Sequence, residues 1–281
     1  MSKIKIAVDA GHGSDTAGKR TPGGYREHWI DVACAVEVEK LLILNGFEVF
    51  RSGWDDENSK DDPDVSLSKR QKLIKEEECD ASVSIHANAY GNGSSYNSAQ
   101  GVVTLIHNND NYIRDSKKLA ECIQNHLIEG TPQKNRGVAR QALSMCNCPK
   151  LGVKAAVLVE LAFMTNYNEA KLLQNKEFIK EQAAEIVHGI CDYYGVPFKK
   201  DVQSKDDTKT ETEKETVVSF KSYKAKVTAS VLNYRTGPGT QYMVKGALKK
   251  GEVYTIVEEK DGWGKLKSGA GWINLKYVNK V

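Results

Sequence analysis

The stretch AAVLVELAF at residues 155–163 is apolar throughout except for one carboxylate, Glu160. Two other strand-like runs each carry an imidazole: KIAVDAGH ends on His12, and ASVSIHAN contains His86. Such runs predict strands buried in a protein core, where an unpaired polar side chain costs about 1–3 kcal/mol. These three polar residues therefore need a common explanation.

Strand-like and helix-like segments alternate along the first two thirds of the chain. Strands are predicted at 3–10, 48–52, 81–88, 101–107 and 155–163, and helices at 27–45, 67–78, 114–129 and 168–194. In the first of these helices the apolar residues form one stripe, and Gly46 ends the pattern. This alternation predicts an α/β fold with a mixed, largely parallel sheet flanked by helices.

Four polar residues are expected to meet at one edge of this sheet. His12, His86 and Glu160 lie at or near strand ends, and Glu27 opens the first predicted helix. Open α/β sheets bind ligands beyond the carboxyl ends of their strands. Two imidazoles and a carboxylate are the ligand set of an open catalytic zinc site, and a further carboxylate can move protons. The sequence therefore predicts that His12, Glu27 and His86 bind Zn²⁺ and that Glu160 is catalytic.

The other histidines are weaker candidates for metal ligands. His28 competes with its neighbour Glu27, but adjacent side chains on a helix point about 100° apart, so only one of the two can face the crevice. His107, His126 and His188 are expected to be surface or hydrogen-bonded residues. The six cysteines are expected to be buried thiols rather than disulfides.

The charge of the chain is unevenly distributed. The net charge of +3 divides into −4 for residues 1–197, −1 for 198–219 and +8 for 220–281. The basic segment is expected to bind an anionic partner, for which composition alone allows nucleic acid, a membrane surface or a wall polymer. The N-terminal apolar run is too short and interrupted for a signal peptide, so we expect a cytoplasmic protein as synthesised.

The last third of the chain contains two further segments. Residues 198–219 are dense in Lys, Asp, Glu, Thr and Ser and predict a flexible charged linker. From 220 to 281, short alternating runs are separated by Gly and Pro, which predicts a small all-β barrel of about 60 residues. The expected domains are thus 1–197, 198–219 and 220–281.

Four motifs resemble, in order and spacing, those of the zinc-dependent N-acetylmuramoyl-L-alanine amidases of the amidase-3 type. They are VDAGHG at 8–13, GGYRE at 23–27, SIHAN at 84–88 and VELAFMTN at 159–166. The resemblance implies about six strands, zinc ligands at His12, Glu27 and His86, and a catalytic carboxylate at Glu160; it favours Glu27 over His28. It also implies hydrolysis of the amide between the muramic acid lactyl group and L-alanine. Substrate-binding positions are implied at Asn88, Arg136 and Asn166.

Two departures from the family pattern stand out. Ala162 occupies a position where members usually have Gly. Regulated members carry a long insertion with an occluding helix after the second histidine motif, whereas only the polar residues 89–100 precede the next predicted strand here. The resemblance therefore implies an enzyme whose site is constitutively open.

The C-terminal segment resembles a bacterial SH3 domain of the SH3b type. The matching elements are LNYRTGPG, KKG, GWGK and GWI. Such modules accompany wall hydrolases and are implied to bind peptidoglycan. Candidate wall-binding residues are Tyr234, Arg235, Tyr242 and Trp263, whereas Trp272 is expected in the core.

The sequence thus predicts a modular peptidoglycan amidase with an SH3-like barrel as its wall-targeting module. We expect a phage endolysin or a mother-cell lysin that acts on the cell wall after release. Peptidoglycan is the expected partner, with no nucleic acid, no membrane insertion and no obligate protein partner. The alternatives are a zinc peptidase or deacetylase acting on peptidoglycan, and a non-catalytic wall-binding protein.

Overall fold

The computed structural model of the protein describes residues 3–130, 133–200, 223–235, 237–240, 242, 244–260, 262–267 and 271–281. The chain divides into two compact units, Met1–Ser204 and Lys205–Val281. Most of the predicted linker at 198–219 lies outside the described residues.

The N-terminal unit alternates strands with helices, as the sequence predicts. Its strands are β1 (Lys5–Ala10), β2 (Glu48–Ser52), β3 (Ala81–Asn88), β4 (Val102–Ile106), β5 (Asn135–Arg140) and β6 (Ala155–Phe163). Its α-helices are α1 (Glu27–Leu44), α2 (Leu67–Glu76), α3 (Ser116–Gly130), α4 (Cys148–Leu151), α5 (Tyr167–Leu172) and α6 (Lys176–Tyr194).

The six strands form one sheet in the order β2-β1-β3-β6-β4-β5. Neighbouring strands are parallel, except that β4 runs antiparallel to β6. The mixed, largely parallel sheet of six strands is therefore confirmed. The carboxyl ends of β1, β2, β3 and β6 meet at one edge, where β4 and β5 begin.

Side chains alternate across the sheet and bury both of its faces. On β1, Ile6 and Val8 join a large apolar cluster with residues of α1, α3 and α6, whereas Ala7 packs with residues of α2 and α4 on the other face. On β6, Glu160 has the same orientation as Ala156, which belongs to the α2 and α4 side. Ala162, the departure from the family pattern, is fully buried in the large cluster.

The prediction was wrong about three elements. It omitted β5 and the short helix α4, and it joined α5 and α6 into one helix at 168–194. The break between these helices has a local cause, because the side chain of Asn175 accepts hydrogen bonds from the backbone N–H groups of Glu177 and Phe178 and so starts a new helix. All six cysteines are free, as predicted, and all are buried except Cys122, which is partly exposed.

The C-terminal unit is an antiparallel sheet of short strands. They are β7 (Tyr223–Val227), β8 (Val231–Arg235), β9 (Val244–Lys249), β10 (Val253–Lys260), β11 (Trp263–Leu266), β12 (Trp272–Asn274) and β13 (Val278–Lys280), in the order β13-β7-β10-β11-β12-β8-β9. Its core contains Ala225, Leu232, Ile256 and Ile273. This architecture agrees with the predicted all-β SH3-like module. Among the described residues of the whole chain, no helix combines the length and apolar character needed to cross a membrane.

Candidate active site

Two imidazoles and one carboxylate meet at the carboxyl edge of the parallel strands. The Nε2 atom of His12 lies 3.2 Å from Oε1 of Glu27, and Nδ1 of His86 lies 3.1 Å from the same oxygen. One ligand atom from each of the three residues lies within 4.8 Å of the others. The structure thus brings together the three residues predicted to bind zinc.

The backbone before His12 turns sharply out of strand β1. His12 has a positive φ of 60°, a conformation that costs energy in a non-glycine residue and needs outside support. Arg70 on α2 supplies that support, because its guanidinium donates hydrogen bonds to the carbonyl oxygens of Ala10 and His12. The charged guanidinium of Arg70 therefore holds the backbone segment that carries the His12 imidazole.

Arg70 is itself fixed by a buried polar network. It is only 2% exposed, and its Nη1 lies 3.0 Å from Oδ1 of Asp9, which is 1% exposed. The Asp9 carboxylate also accepts hydrogen bonds from the hydroxyls of Ser52 at 2.8 Å and Ser84 at 2.5 Å. The sequence does not indicate this network, because an arginine in an amphipathic helix gives no sign that it is buried.

Glu27 and His28 point to different neighbours, as their helical spacing requires. Glu27 is the first residue of α1 and is 2% exposed. The His28 ring is fully buried, with Nδ1 2.7 Å from the carbonyl oxygen of Gly11 and Nε2 2.9 Å from Oδ2 of Asp62. The structure therefore turns Glu27 toward the two imidazoles and uses His28 to hold the turn before His12.

Glu160 lies beside His86 on the neighbouring strand. The two residues are paired in the parallel register of β3 and β6, which places their side chains on the same face. Burial raises the pKa of Glu160 to about 7, although the His86 imidazole opposes this shift. At Glu27 burial also favours the neutral acid, but hydrogen bonds from His12 and His86 outweigh it and lower the pKa to about 2.

Several carboxylate oxygens of this region are buried without a hydrogen-bond partner. They are Oε2 of Glu27, Oε2 of Glu160 and both oxygens of Asp31. Asp31 lies near the His86 imidazole, since a β-carbon on Gly11 would be 2.7 Å from Oδ2 of Asp31 and 2.4 Å from Cε1 of His86. Unpaired buried carboxylates are costly, and a bound cation would remove that cost.

Two adjoining cavities open beside Glu160. One of about 310 Å³ is lined by His12, Glu27, His86 and Lys19, and a second of about 560 Å³ is lined by Arg136, Lys134 and Val103; both are also lined by Asn88, Gln141 and Glu160. The sequence did not indicate Lys19, Lys134 or Gln141. The last two flank β5, the strand that it did not predict.

The three predicted substrate-binding residues have different surroundings. Asn88 lines both cavities. Arg136 lines the larger one, with its guanidinium 5.0 Å from the Phe163 ring centroid. Asn166 lies outside both linings and caps α5 instead, accepting hydrogen bonds from the backbone N–H groups of Asn168 and Glu169. The structure gives Asn166 a structural role.

The loop after β3 contains no helix that could cover the two cavities. Residues 89–101, all of which the structure describes, contain turns and bends only. The backbone N–H of Tyr90 donates to the hydroxyl of Thr165, and that of Asn97 donates to the Thr165 carbonyl. These bonds hold the loop against the end of β6.

Comparison with known proteins agrees with this geometry. The profile of the family described as N-acetylmuramoyl-L-alanine amidase matches residues 6–192. The chain belongs to this amidase family. A second profile, described as a bacterial SH3 domain, matches residues 230–279 in the unit that follows the amidase unit.

Individual relatives agree with this membership. The N-acetylmuramoyl-L-alanine amidase LytC of Bacillus subtilis (strain 168) is 30% identical over 190 residues, which cover 67% of this chain and 35% of LytC. The uncharacterized protein YqiI of the same organism is 30% identical over 189 residues, or 67% of this chain and 84% of YqiI. The crystal structure of an N-acetylmuramoyl-L-alanine amidase from Clostridium difficile 630 has a TM-score of 0.60 at 25% identity and covers 69% of this chain and 98% of that one.

The candidate wall-binding residues of the SH3 unit mostly support its own fold. Arg235 Nη1 donates hydrogen bonds to the carbonyl oxygens of Thr240 at 3.0 Å and Tyr242 at 2.7 Å. The Tyr242 ring packs on Gly237, and the Tyr234 ring packs on Gly246.

The two tryptophans of the SH3 unit are both buried. Trp263 is 7% exposed and offers little surface to a wall polymer, so its selection as a wall-binding residue stays a prediction that its burial does not favour. Trp272 is 8% exposed, as expected for a core residue. Tyr234, Arg235 and Tyr242 remain partly exposed.

Proposed function

We propose that this protein is a zinc-dependent N-acetylmuramoyl-L-alanine amidase. It hydrolyses the amide between the lactyl group of N-acetylmuramic acid and the L-alanine of the stem peptide in bacterial peptidoglycan. The observation that carries the proposal is the meeting of His12, Glu27 and His86 at one sheet edge, with Glu160 paired to His86 on the next strand. Membership of the amidase family supports the choice of substrate.

The donor set fits zinc. Catalytic zinc sites use three protein ligands, drawn from imidazole nitrogens and carboxylate oxygens, and keep one position open. Here His12, His86 and Glu27 would hold the ion, and the partnerless Oε2 of Glu27 indicates that the buried carboxylate needs a cation. Zinc bound there would act as a Lewis acid that polarises the scissile carbonyl and lowers the pKa of water.

Glu160 is the residue that moves the proton in this reaction. Its carboxylate takes a proton from water as the water oxygen adds to the amide carbon, and it delivers that proton to nitrogen as the C–N bond breaks. The products are a lactyl carboxylate on muramic acid and a stem peptide with a free N-terminal L-alanine. Asn88, Arg136 and Lys134 line the adjoining cavity, and we infer that they bind the carbonyl and carboxylate groups of the stem peptide.

End-group analysis of digested walls tests the proposed reaction. An amidase releases new N-terminal L-alanine. New reducing sugar would identify a glycosidase, free acetate a deacetylase, and other new N-termini a peptidase. No product at all would favour the non-catalytic wall-binding protein. Chelation should abolish L-alanine release and added Zn²⁺ should restore it; full activity after complete metal removal would contradict the zinc requirement.

We also propose that residues 220–281 hold the enzyme on the wall, with 198–219 as a flexible linker. The bacterial SH3 match and the net charge of +8 support this role. An isolated fragment 220–281 should sediment with purified walls, and less of it should bind near 1 M salt, where the screening length is about 3 Å. A fragment ending at Lys200 should cleave soluble muropeptides normally but intact walls more slowly. Equal rates on intact walls, with no sedimentation of the module, would overturn the assignment.

A further inference from the structure

Helices α3 and α6 are in direct backbone contact at Gly189. A β-carbon built on Gly189 would lie 2.4 Å from the Cα atom of Ile123, so a side chain there would force the helices apart. The contact brings together His126 on α3 and His188 on α6. Their rings stack with centroids 3.7 Å apart and 19° between the ring planes.

Carboxylates surround this histidine pair. The Nδ1 atom of His126 lies 3.9 Å from Oε2 of Glu185 and 3.8 Å from Oε2 of Glu129. Glu185 and His188 are three residues apart on α6, which places both side chains on one face of the helix. One ligand atom each from His126, Glu185 and His188 lies within 4.8 Å of the others. The cluster therefore brings metal-binding side chains from two helices close to one another.

Asp192 gives His126 the orientation of a metal ligand. Its Oδ2 lies 2.7 Å from Nε2 of His126, a hydrogen bond in which the imidazole donates. With the proton on Nε2, the lone pair of His126 is on Nδ1, the nitrogen that faces Glu185. A carboxylate that holds the second nitrogen of a histidine is a recurrent partner of metal-bound imidazoles.

We propose that His126, Glu185 and His188 form a second metal site, which takes a divalent transition metal ion such as Zn²⁺, with Asp192 orienting His126. Two imidazole nitrogens and one carboxylate oxygen suit zinc and its neighbours in the transition series. A metal ion lies in the plane of each imidazole that it binds, so one of the stacked rings turns on binding. Asp192 holds His126, so His188, which is partly exposed, is the ring that turns, and the turn replaces its stacking on His126 and Phe198.

A metal ion bound at this site would link α3 to α6. It would also affect Phe198, which follows α6 in the chain. The His188 ring also stacks on Phe198, with centroids 4.5 Å apart and 16° between the planes. A metal ion that binds only the folded unit raises its apparent stability. The second site shares no residue with the His12, Glu27 and His86 cluster, so the two can be emptied separately.

Metal counting on the full-length chain tests the proposal. The metal-free protein is titrated with Zn²⁺ against a chromophoric chelator, and the bound metal is confirmed by elemental analysis after dialysis. We expect two equivalents for the unaltered chain, and one each for His188→Ala and His86→Ala. The double variant should bind none. Excess Zn²⁺ should raise the melting temperature of His86→Ala but not that of the double variant.

Control variants separate this site from other zinc-binding groups. His107→Ala removes a histidine outside both clusters, and Cys122→Ser removes the thiol one turn before His126; both should retain two equivalents. A single equivalent in the unaltered chain that is lost in His86→Ala would overturn the second site and leave the proposed amidase centre intact. A second equivalent that persists in His188→Ala, or that is lost in Cys122→Ser, would also overturn it.

Discussion

The two histidine clusters of the N-terminal unit use the same residue types in very different surroundings. In the first cluster, Glu27 is 2% exposed and Arg70 holds the backbone that carries His12. In the second, His126 and His188 lie partly exposed on two helices and stack on each other, and His126 pairs with the half-exposed carboxylate of Asp192.

The difference concerns how firmly each ligand is held before any ion binds. Catalysis needs ligands fixed in position, because small displacements of reacting groups lower the rate strongly. Sheet edges backed by buried hydrogen bonds provide that precision. In the second cluster the rings are held by stacking and by the half-exposed carboxylate of Asp192, so they can rotate, which is sufficient for an ion that only links two helices. The first cluster is therefore suited to catalysis and the second to stabilisation.

The largest expected effect comes from Glu160→Gln. Glutamine keeps the shape of the side chain but cannot accept the proton of water, so turnover should fall by roughly 10²–10⁴, the usual contribution of a positioned general base. Metal content at the first cluster and the melting temperature should stay close to those of the unaltered protein. L-alanine release from walls measures turnover, with His107→Ala as the control. Near-normal turnover would assign the proton transfer to another group.

Replacing Arg70 should produce the next largest effect. Arg70→Met leaves Asp9 buried without its partner, which should lower the free energy of unfolding by about 3–5 kcal/mol. Arg70→Lys keeps the charge but loses the fork that binds the carbonyls of Ala10 and His12, so metal affinity at the first cluster should fall by roughly 10–100-fold. Chemical denaturation and zinc titration measure the two effects.

A matched control exists on the surface. Arg51 is 42% exposed, pairs with the partly exposed Glu39 and lines neither cavity beside Glu160, so Arg51→Lys should leave zinc binding at the first cluster unchanged. If Arg70→Lys bound zinc at the first cluster as tightly as Arg51→Lys does, Arg70 would have no positioning role there.

The sequence predicted the first cluster because its residues interrupt unusually apolar strands. β1, β3 and β6 are buried on both faces and read as apolar runs, so His12, His86 and Glu160 stand out. β5, with the sequence NRGVAR, is an edge strand with partly exposed residues and shows no such pattern. Lys134 and Gln141, which depend on its position, were therefore missed.

The second cluster could not be predicted in the same way. His126 and His188 lie in two helices that are separated by two strands in the chain, and each looks like an ordinary polar residue on an amphipathic helix. Only the packing of α3 against α6 at Gly189 brings the two rings together. Local periodicity predicts which face of a helix is buried, but not which other helix covers it.

Gly189→Ala should disturb the second cluster and spare the first. The added methyl group meets the backbone of Ile123 and must push α6 from α3, at a cost of about 1–3 kcal/mol that is partly offset by the higher helix propensity of alanine. We expect a lower melting temperature and weaker binding of the second Zn²⁺ equivalent, with the first equivalent unchanged. Unaltered binding of both equivalents would show that the second cluster does not depend on this helix contact.

The smallest expected effect concerns asparagines that cap helices beside the two clusters. Asn166 caps α5 after the strand that carries Glu160, and Asn175 caps α6, which carries His188. Removing a cap with Asn→Ala costs about 1 kcal/mol, whereas aspartate caps nearly as well as asparagine. Asn166→Asp and Asn175→Asp should therefore both keep the melting temperature of the unaltered chain.

Because aspartate lacks the amide N–H donors, Asn166→Asp would raise KM for muropeptides if that amide bound substrate, while Asn175→Asp would not. We expect KM to be the same for both variants, and a selective increase for Asn166→Asp would restore Asn166 to the substrate-binding residues.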